Sequence, residues 1–166
     1  MNKAIFAFAL SCSVLLTGCN MGSGSGASSE QGDLTGARSG GPFTLTNQDG
    51  KPTRWDDFKG RYRIVYFGYS YCPDVCPTAL QIMSTALQLL GKQAGSVQPI
   101  FITVDPKRDT SEHLKDYVKN FYPGMVALTG TEDLIKEAAK KYRIYFAKAS
   151  QDKTNSNSDE YLIDHS

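Results

Sequence analysis

An α/β fold, a sheet whose strands are joined by right-handed helical crossovers, is predicted by three features of this sequence. Strand-like runs alternate with helix-like runs after an opening hairpin pattern. Two dense apolar runs, over residues 63–69 and 97–104, read as buried-type strands, the first as a central strand covered on both faces. Two cysteines, Cys72 and Cys76, stand at the mouth of the first long helix. No glycine-rich phosphate loop with its lysine occurs, which weakens a nucleotide-binding sheet. A CxxxC in that place points instead to a thioredoxin-like fold of three layers.

The elements follow in order. Residues 1–18 carry a positive charge at Lys3 and then an apolar run, a secretory signal too short to span a bilayer permanently. The run ends Leu16-Thr17-Gly18-Cys19, which resembles a bacterial lipobox. By that resemblance Cys19 becomes the lipidated first residue of the mature protein; a plain signal peptide is the alternative. Cys12 leaves with the leader, so Cys72 and Cys76 are the functional thiols, in an extracytoplasmic compartment. Residues 19–41 are a glycine- and serine-rich tether that cannot support a core. As a flexible coil of about 22 residues it reaches roughly 25 Å. The remaining residues, 42–166, make one domain. With 40% hydrophobic and 21% charged residues the composition is globular, and a net charge of +1 gives no support for nucleic-acid binding.

Within the domain, residues 42–46 and 51–54 flank the turn signal Asn47-Gln48-Asp49-Gly50 and predict a hairpin. A short helical turn over 55–60 is closed by glycine. After the strand at 63–69, a helix is expected over 77–90, with Leu80, Met83, Leu87 and Leu90 as its apolar stripe. Met83 on that stripe reads as core rather than as a metal ligand. The strand at 97–104 leads into Asp105-Pro106-Lys107-Arg108-Asp109-Thr110, where Asp109 or Thr110 can cap the next helix. Asp109 and Glu112 have capping-box spacing. A short strand over 125–128, a helix over 131–142 with Leu134, Ile135, Ala138 and Ala139 inward, and a strand from 144 follow. A polar loop over 151–160 precedes a final strand from Tyr161.

Cys72 and Cys76 flank a helix start, where unpaired N–H groups and the helix dipole favour a thiolate. Residues four apart on one turn can present both sulfurs to one soft ion. A disulfide needs Cβ atoms about 3.5–4.5 Å apart, reached only if residues 73–75 leave regular helix. The two prolines, Pro73 and Pro77, favour that departure. The spacing therefore allows metal binding and thiol redox chemistry and does not choose between them. A purely structural disulfide is a weaker reading, because so short a loop constrains little chain. Asp74 is either a solvated turn residue or part of the site. A bis-thiolate site wants a further ligand, and imidazole suits copper. His113, among Glu112, Lys115 and Asp116, reads as a surface histidine, and His165 as a strand-end residue sharing a face with Tyr161 and Ile163.

Four ordered stretches resemble the SCO/SenC family: residues 66–77, Tyr-Phe-Gly-Tyr-Ser-Tyr-Cys-Pro-Asp-Val-Cys-Pro; 101–110; Leu128-Thr129-Gly130; and Tyr161-Leu162-Ile163-Asp164-His165-Ser166. The resemblance implies a membrane-tethered, thioredoxin-like protein that binds copper and serves in assembling the CuA centre of cytochrome c oxidase, in its subunit II. It implies Cys72 and Cys76 as thiolate ligands and His165 as the imidazole ligand. Asp105, Arg108 and Asp109 match a family motif near the site and are implied to shape and orient it, and an ion pair that only fixes the loop explains them as well. The protein would then be a periplasmic-side metallochaperone rather than a turnover enzyme, with a thioredoxin-like reductant as a second partner. A thiol-disulfide oxidoreductase or redox sensor using the same two cysteines is the alternative. The family pattern continues past the histidine with a closing strand and helix, whereas this sequence stops at Ser166. The expectation is an incomplete domain, with a sheet edge uncovered and His165 poorly held.

Overall fold

The computed structural model describes residues 40–149 and 161–165, with His165 described in its backbone alone. The leader, Cys19, nearly all of the tether, the polar loop over 151–160 and Ser166 lie outside the described residues. β1 (Thr44–Asn47) and β2 (Pro52–Arg54) form the expected antiparallel hairpin. Its turn is fixed by Asn47, whose side-chain oxygen accepts the N–H groups of Asp49 (2.9 Å) and Lys51 (3.0 Å). Residues Trp55–Phe58 then make one tight helical turn.

Three parallel strands follow: β3 (Tyr62–Gly68), β4 (Val97–Thr103) and β5 (Val126–Thr129). The sheet order is β2-β1-β5-β4-β3, with β1 antiparallel to β5. The helix between β3 and β4 is α1 (Val75–Leu89), that between β4 and β5 is α2 (Ser111–Val118), and α3 (Glu132–Tyr142) follows β5. Alternation along β4 sends Phe101 to one face and Ile100 and Ile102 to the other. Phe101 packs with Leu80 of α1 and with Leu114 and Val118 of α2. Ile100 and Ile102 pack with Ile135, Ala138 and Ala139 of α3. The result is three layers, helix–sheet–helix, as the thioredoxin-like expectation required. Each fully buried Leu or Phe contributes on the order of 1.5–3 kcal/mol.

Several local expectations are corrected. β3 is not central: among the described residues it has a strand partner, β4, on one side alone, and Ile64 is 39% exposed. Its apolar density is satisfied instead at its C-terminal end, where Phe67 and Gly68 are buried. β4 is the strand buried along nearly its whole length. α1 begins at Val75 rather than Pro77, so Cys76 lies inside its first turn. Its buried stripe is Cys76, Leu80, Ser84 and Leu87. Ser84 fits there because its hydroxyl donates to the Leu80 carbonyl at 2.7 Å; Leu90 is exposed, and Met83 is half-buried against the α1–α2 core. Leu134 is 42% exposed and not on the inner face of α3. Of the two cap candidates for α2 it is Thr110 that serves, accepting the His113 N–H at 3.2 Å.

β6 (Phe146–Lys148) and β7 (Ile163–His165) stand apart as a two-stranded antiparallel sheet, with Phe146 opposite His165. No helix among the described residues is long and apolar enough to cross a membrane.

Candidate metal centre

The carboxyl ends of β3 and β4 are tied together by the Val104 N–H, which donates to the Gly68 carbonyl at 2.8 Å. From these two ends spring the loop carrying Cys72 and the loop carrying Asp105, Arg108 and Asp109. Asp74 breaks the helical path (φ −142°, ψ −69°), and α1 starts after it. Cys72 thus precedes the helix while Cys76 sits within its first turn. Pro77 occupies a first-turn position, where no N–H is needed.

Both cysteines are thiols with no disulfide between them, and both are buried, Cys72 at 8% and Cys76 at 0% exposure. The Cys76 N–H points at the Cys72 sulfur, 3.4 Å away. Burial works to raise the Cys72 pKa. Backbone N–H groups of Asp74, Cys76 and Val75, with the Cys76 thiol, outweigh it and hold Cys72 below the ordinary thiol value. Burial pushes Cys76 the other way, up to about 11, against opposing hydrogen bonds from the Tyr69 N–H and the Tyr66 hydroxyl. The pair is therefore unequal: Cys72 gives up its proton more readily than Cys76.

Space for the Cys76 sulfur comes from Gly68. A Cβ there would stand 2.8 Å from Tyr66 Cε1, 3.0 Å from Cys76 Sγ and 3.2 Å from Phe101 Cε2. The Tyr66 ring stacks on Phe101 at 6.4 Å between centroids. Gly68 and Tyr66 were not singled out from sequence. An adequate signal was present: a glycine closing an apolar strand just before a cysteine loop marks a close approach.

Asp105 and Arg108 form a nearly buried ion pair, and the Arg108 guanidinium also donates to the Tyr161 carbonyl at 3.0 Å. It lies 3.7 Å from the Tyr161 ring centroid and 4.8 Å from that of Tyr71. The Tyr161 hydroxyl donates to Asp105 at 2.6 Å, and burial followed by that carboxylate pushes its pKa up to about 12. The Tyr69 hydroxyl accepts the Ile163 N–H at 3.2 Å. These contacts hold the segment leading into β7 against the cysteine loop.

Asp109 is wholly buried. Its carboxylate accepts the Ser70 N–H (3.0 Å), the Ser70 hydroxyl and the Thr103 hydroxyl (2.6 Å), while burial raises its pKa. The Asp74 side chain is exposed, 3.5 Å from the Thr78 hydroxyl, and it is the backbone of Asp74 that serves Cys72. His113 is half-buried rather than a plain surface residue. Its Nε2 lies 2.7 Å from Ser70 Oγ and its ring stacks on Tyr71 at 5.1 Å.

A cleft of about 350 Å³ separates Cys72, Pro73 and Val75 from Leu162, Ile163 and Asp164. The backbone of His165 follows directly in β7; its side chain lies outside the described residues. Among the described residues no three metal-ligating side chains converge, so the described part of the site offers two soft sulfur donors at one helix start. That donor chemistry fits a soft, thiophilic ion and equally a reversible disulfide.

Residues 31–166 match the family model described as SCO1/SenC. The chain is 42% identical over 127 residues to an SCO2-like protein of Rickettsia prowazekii, and 44% identical over 128 residues to the mitochondrial protein SCO2 of Saccharomyces cerevisiae. Each match covers 76% of this chain, which spans 60% of the first relative's length and 42% of the second's. The solved structure of Bradyrhizobium japonicum ScoI with copper bound superposes with a TM-score of 0.70 at 40% identity, covering 77% of this chain and 78% of that one.

Proposed function

This chain belongs to the SCO1/SenC family, and we propose that it is a copper metallochaperone in the assembly of cytochrome c oxidase. Cys72 and Cys76 hold the ion as thiolates, His165 completes the ligand set, and the cargo passes to the CuA centre of subunit II by ligand exchange. Arg108, Asp105 and Asp109 keep the two loops in place. Cys19 carries the lipid anchor, the tether spaces the domain from the membrane on its extracytoplasmic side, and a thioredoxin-like protein returns the cysteines to dithiol before loading.

What carries the reading is the unequal cysteine pair at the start of α1. Converging N–H groups ease ionisation of Cys72, and one of them is the Cys76 N–H, 3.4 Å from the Cys72 sulfur. The same inequality supports the second reading, thiol-disulfide exchange, since a depressed thiol beside a buried partner is the arrangement of a nucleophile and a resolving thiol. His165 separates the two, because disulfide exchange has no use for it. Titration of the reduced protein with copper is expected to show one ion per chain, lost on replacement of Cys72 or Cys76 and strongly weakened by His165→Ala. Disulfide exchange with glutathione should survive that last change. Unaltered copper binding by His165→Ala would refute the three-ligand set.

A further inference from the structure

Resting on that reading for what the sulfurs are for, we infer that His113 is a positioning residue for the two-sulfur site, acting through the hydroxyl of Ser70. The donor and acceptor accounting leaves little freedom. Thr103 Oγ1 accepts the Asp105 N–H at 2.9 Å, so its hydrogen goes to Asp109. Ser70 gives its N–H and its single hydroxyl hydrogen to the Asp109 carboxylate. With Asp109 as the carboxylate, Ser70 Oγ is left to accept from His113, which assigns the hydrogen to Nε2. Asp109 is held from a further side, because the Thr129 hydroxyl donates to its backbone carbonyl at 2.8 Å. The imidazole is oriented by its near-parallel stack on Tyr71, 15° between planes. Ser70 is thereby clamped between a buried carboxylate and a helix.

The clamp matters because of the residue before it. The Tyr69 carbonyl accepts the Cys72 N–H at 3.3 Å, and the Tyr69 N–H donates to the Cys76 sulfur. One residue thus contacts both cysteines from its two ends, and the Ser70 N–H held by Asp109 lies in the same peptide plane as the Tyr69 carbonyl, so a turn of that peptide would move the Cys72 contact. His113 lies 43 residues from Ser70, so this control reaches the cysteine loop from α2 and not from its own strand.

The test compares His113→Leu, which removes the ring donor, with His113→Gln, which keeps an N–H, and with Ser70→Ala. The full chain is equilibrated with glutathione. Two cysteine thiols give two electrons and two protons to glutathione disulfide, forming one protein S–S bond and two glutathione thiols. His113→Leu and Ser70→Ala are expected to shift this equilibrium constant about three- to tenfold, the worth of one hydrogen bond. His113→Gln should stay within about twofold of wild type on the same basis. Equal shifts in the Leu and Gln variants, or none in the Leu variant, would overturn the proposal. Should Ser70→Ala fail to fold, the half-exposed His113 pair still decides. The equilibrium needs no metal, so a chain unable to bind copper would sink the copper reading and leave this result legible.

Discussion

Gly68→Ala tests how tightly the centre is built. The added methyl would enter at 2.8 Å from Tyr66 Cε1 and 3.0 Å from Cys76 Sγ. Carbon contacts settle near 3.5–4.0 Å, so each neighbour must retreat by about half an ångström or more. Neither can do so cheaply. The Tyr66 ring is stacked on the fully buried Phe101, and the Cys76 sulfur is anchored to the first turn of α1. Overpacking of this kind costs about 1–3 kcal/mol, which for a domain near 125 residues lowers the melting temperature by roughly 4–12 °C. Circular-dichroism melts of the full chain, with mass-spectrometric mapping of thiol alkylation, would measure both the stability and the sulfur's setting. Gly95→Ala is the control: nothing lies within 4 Å of its Cβ position, and a change within about 0.5 kcal/mol is expected. If Gly68→Ala melted with the control and left Cys76 alkylation unchanged, the close approach would not be what spaces the sulfurs.

Two further outcomes follow from the same geometry. Because Cys72 titrates below the ordinary thiol value and Cys76 near 11, iodoacetamide at neutral pH should label Cys72 first, with Cys76 following only as the pH approaches its raised value; peptide mapping that finds Cys76 labelled first would reverse the assignment. Arg108→Lys keeps the charge but loses the fork that reaches both Asp105 and the Tyr161 carbonyl, and a stability loss of about 1–3 kcal/mol is expected, read by urea titration, with a wild-type midpoint arguing that the guanidinium fixes nothing.

The succession of elements was legible because periods of 2 and 3.6 residues are local properties of the chain, and the cysteine pair at a strand-to-helix junction is a local signal too. What escaped was non-local. The apolar run of β3 could not reveal that, among the described residues, its strand neighbour lies on one side alone. Asp109 obeyed a capping-box spacing with Glu112, yet a buried carboxylate facing Ser70 and Thr103 is worth more to the fold than a second cap beside Thr110. His113 looked solvated among Glu112, Lys115 and Asp116, while its partners, Ser70 and Tyr71, arrive from the loop that follows β3. Arg108 was placed near the site by resemblance; its embrace of Tyr161 depends on a contact 53 residues away.

Those separations bear on biogenesis. Asp109 is synthesised 39 residues after the Ser70 it clamps, and the Ile163 N–H arrives 94 residues after Tyr69. At 5–20 residues per second the delays are roughly 2–8 s and 5–19 s. Until the later strands and helices cover Cys76, the nascent chain lacks the burial that raises that thiol, so an oxidant meeting it early would find a pair less unequal than the finished one. The Cys76 half of that inequality is a late product of folding, and any factor that shields nascent thiols would act in those seconds.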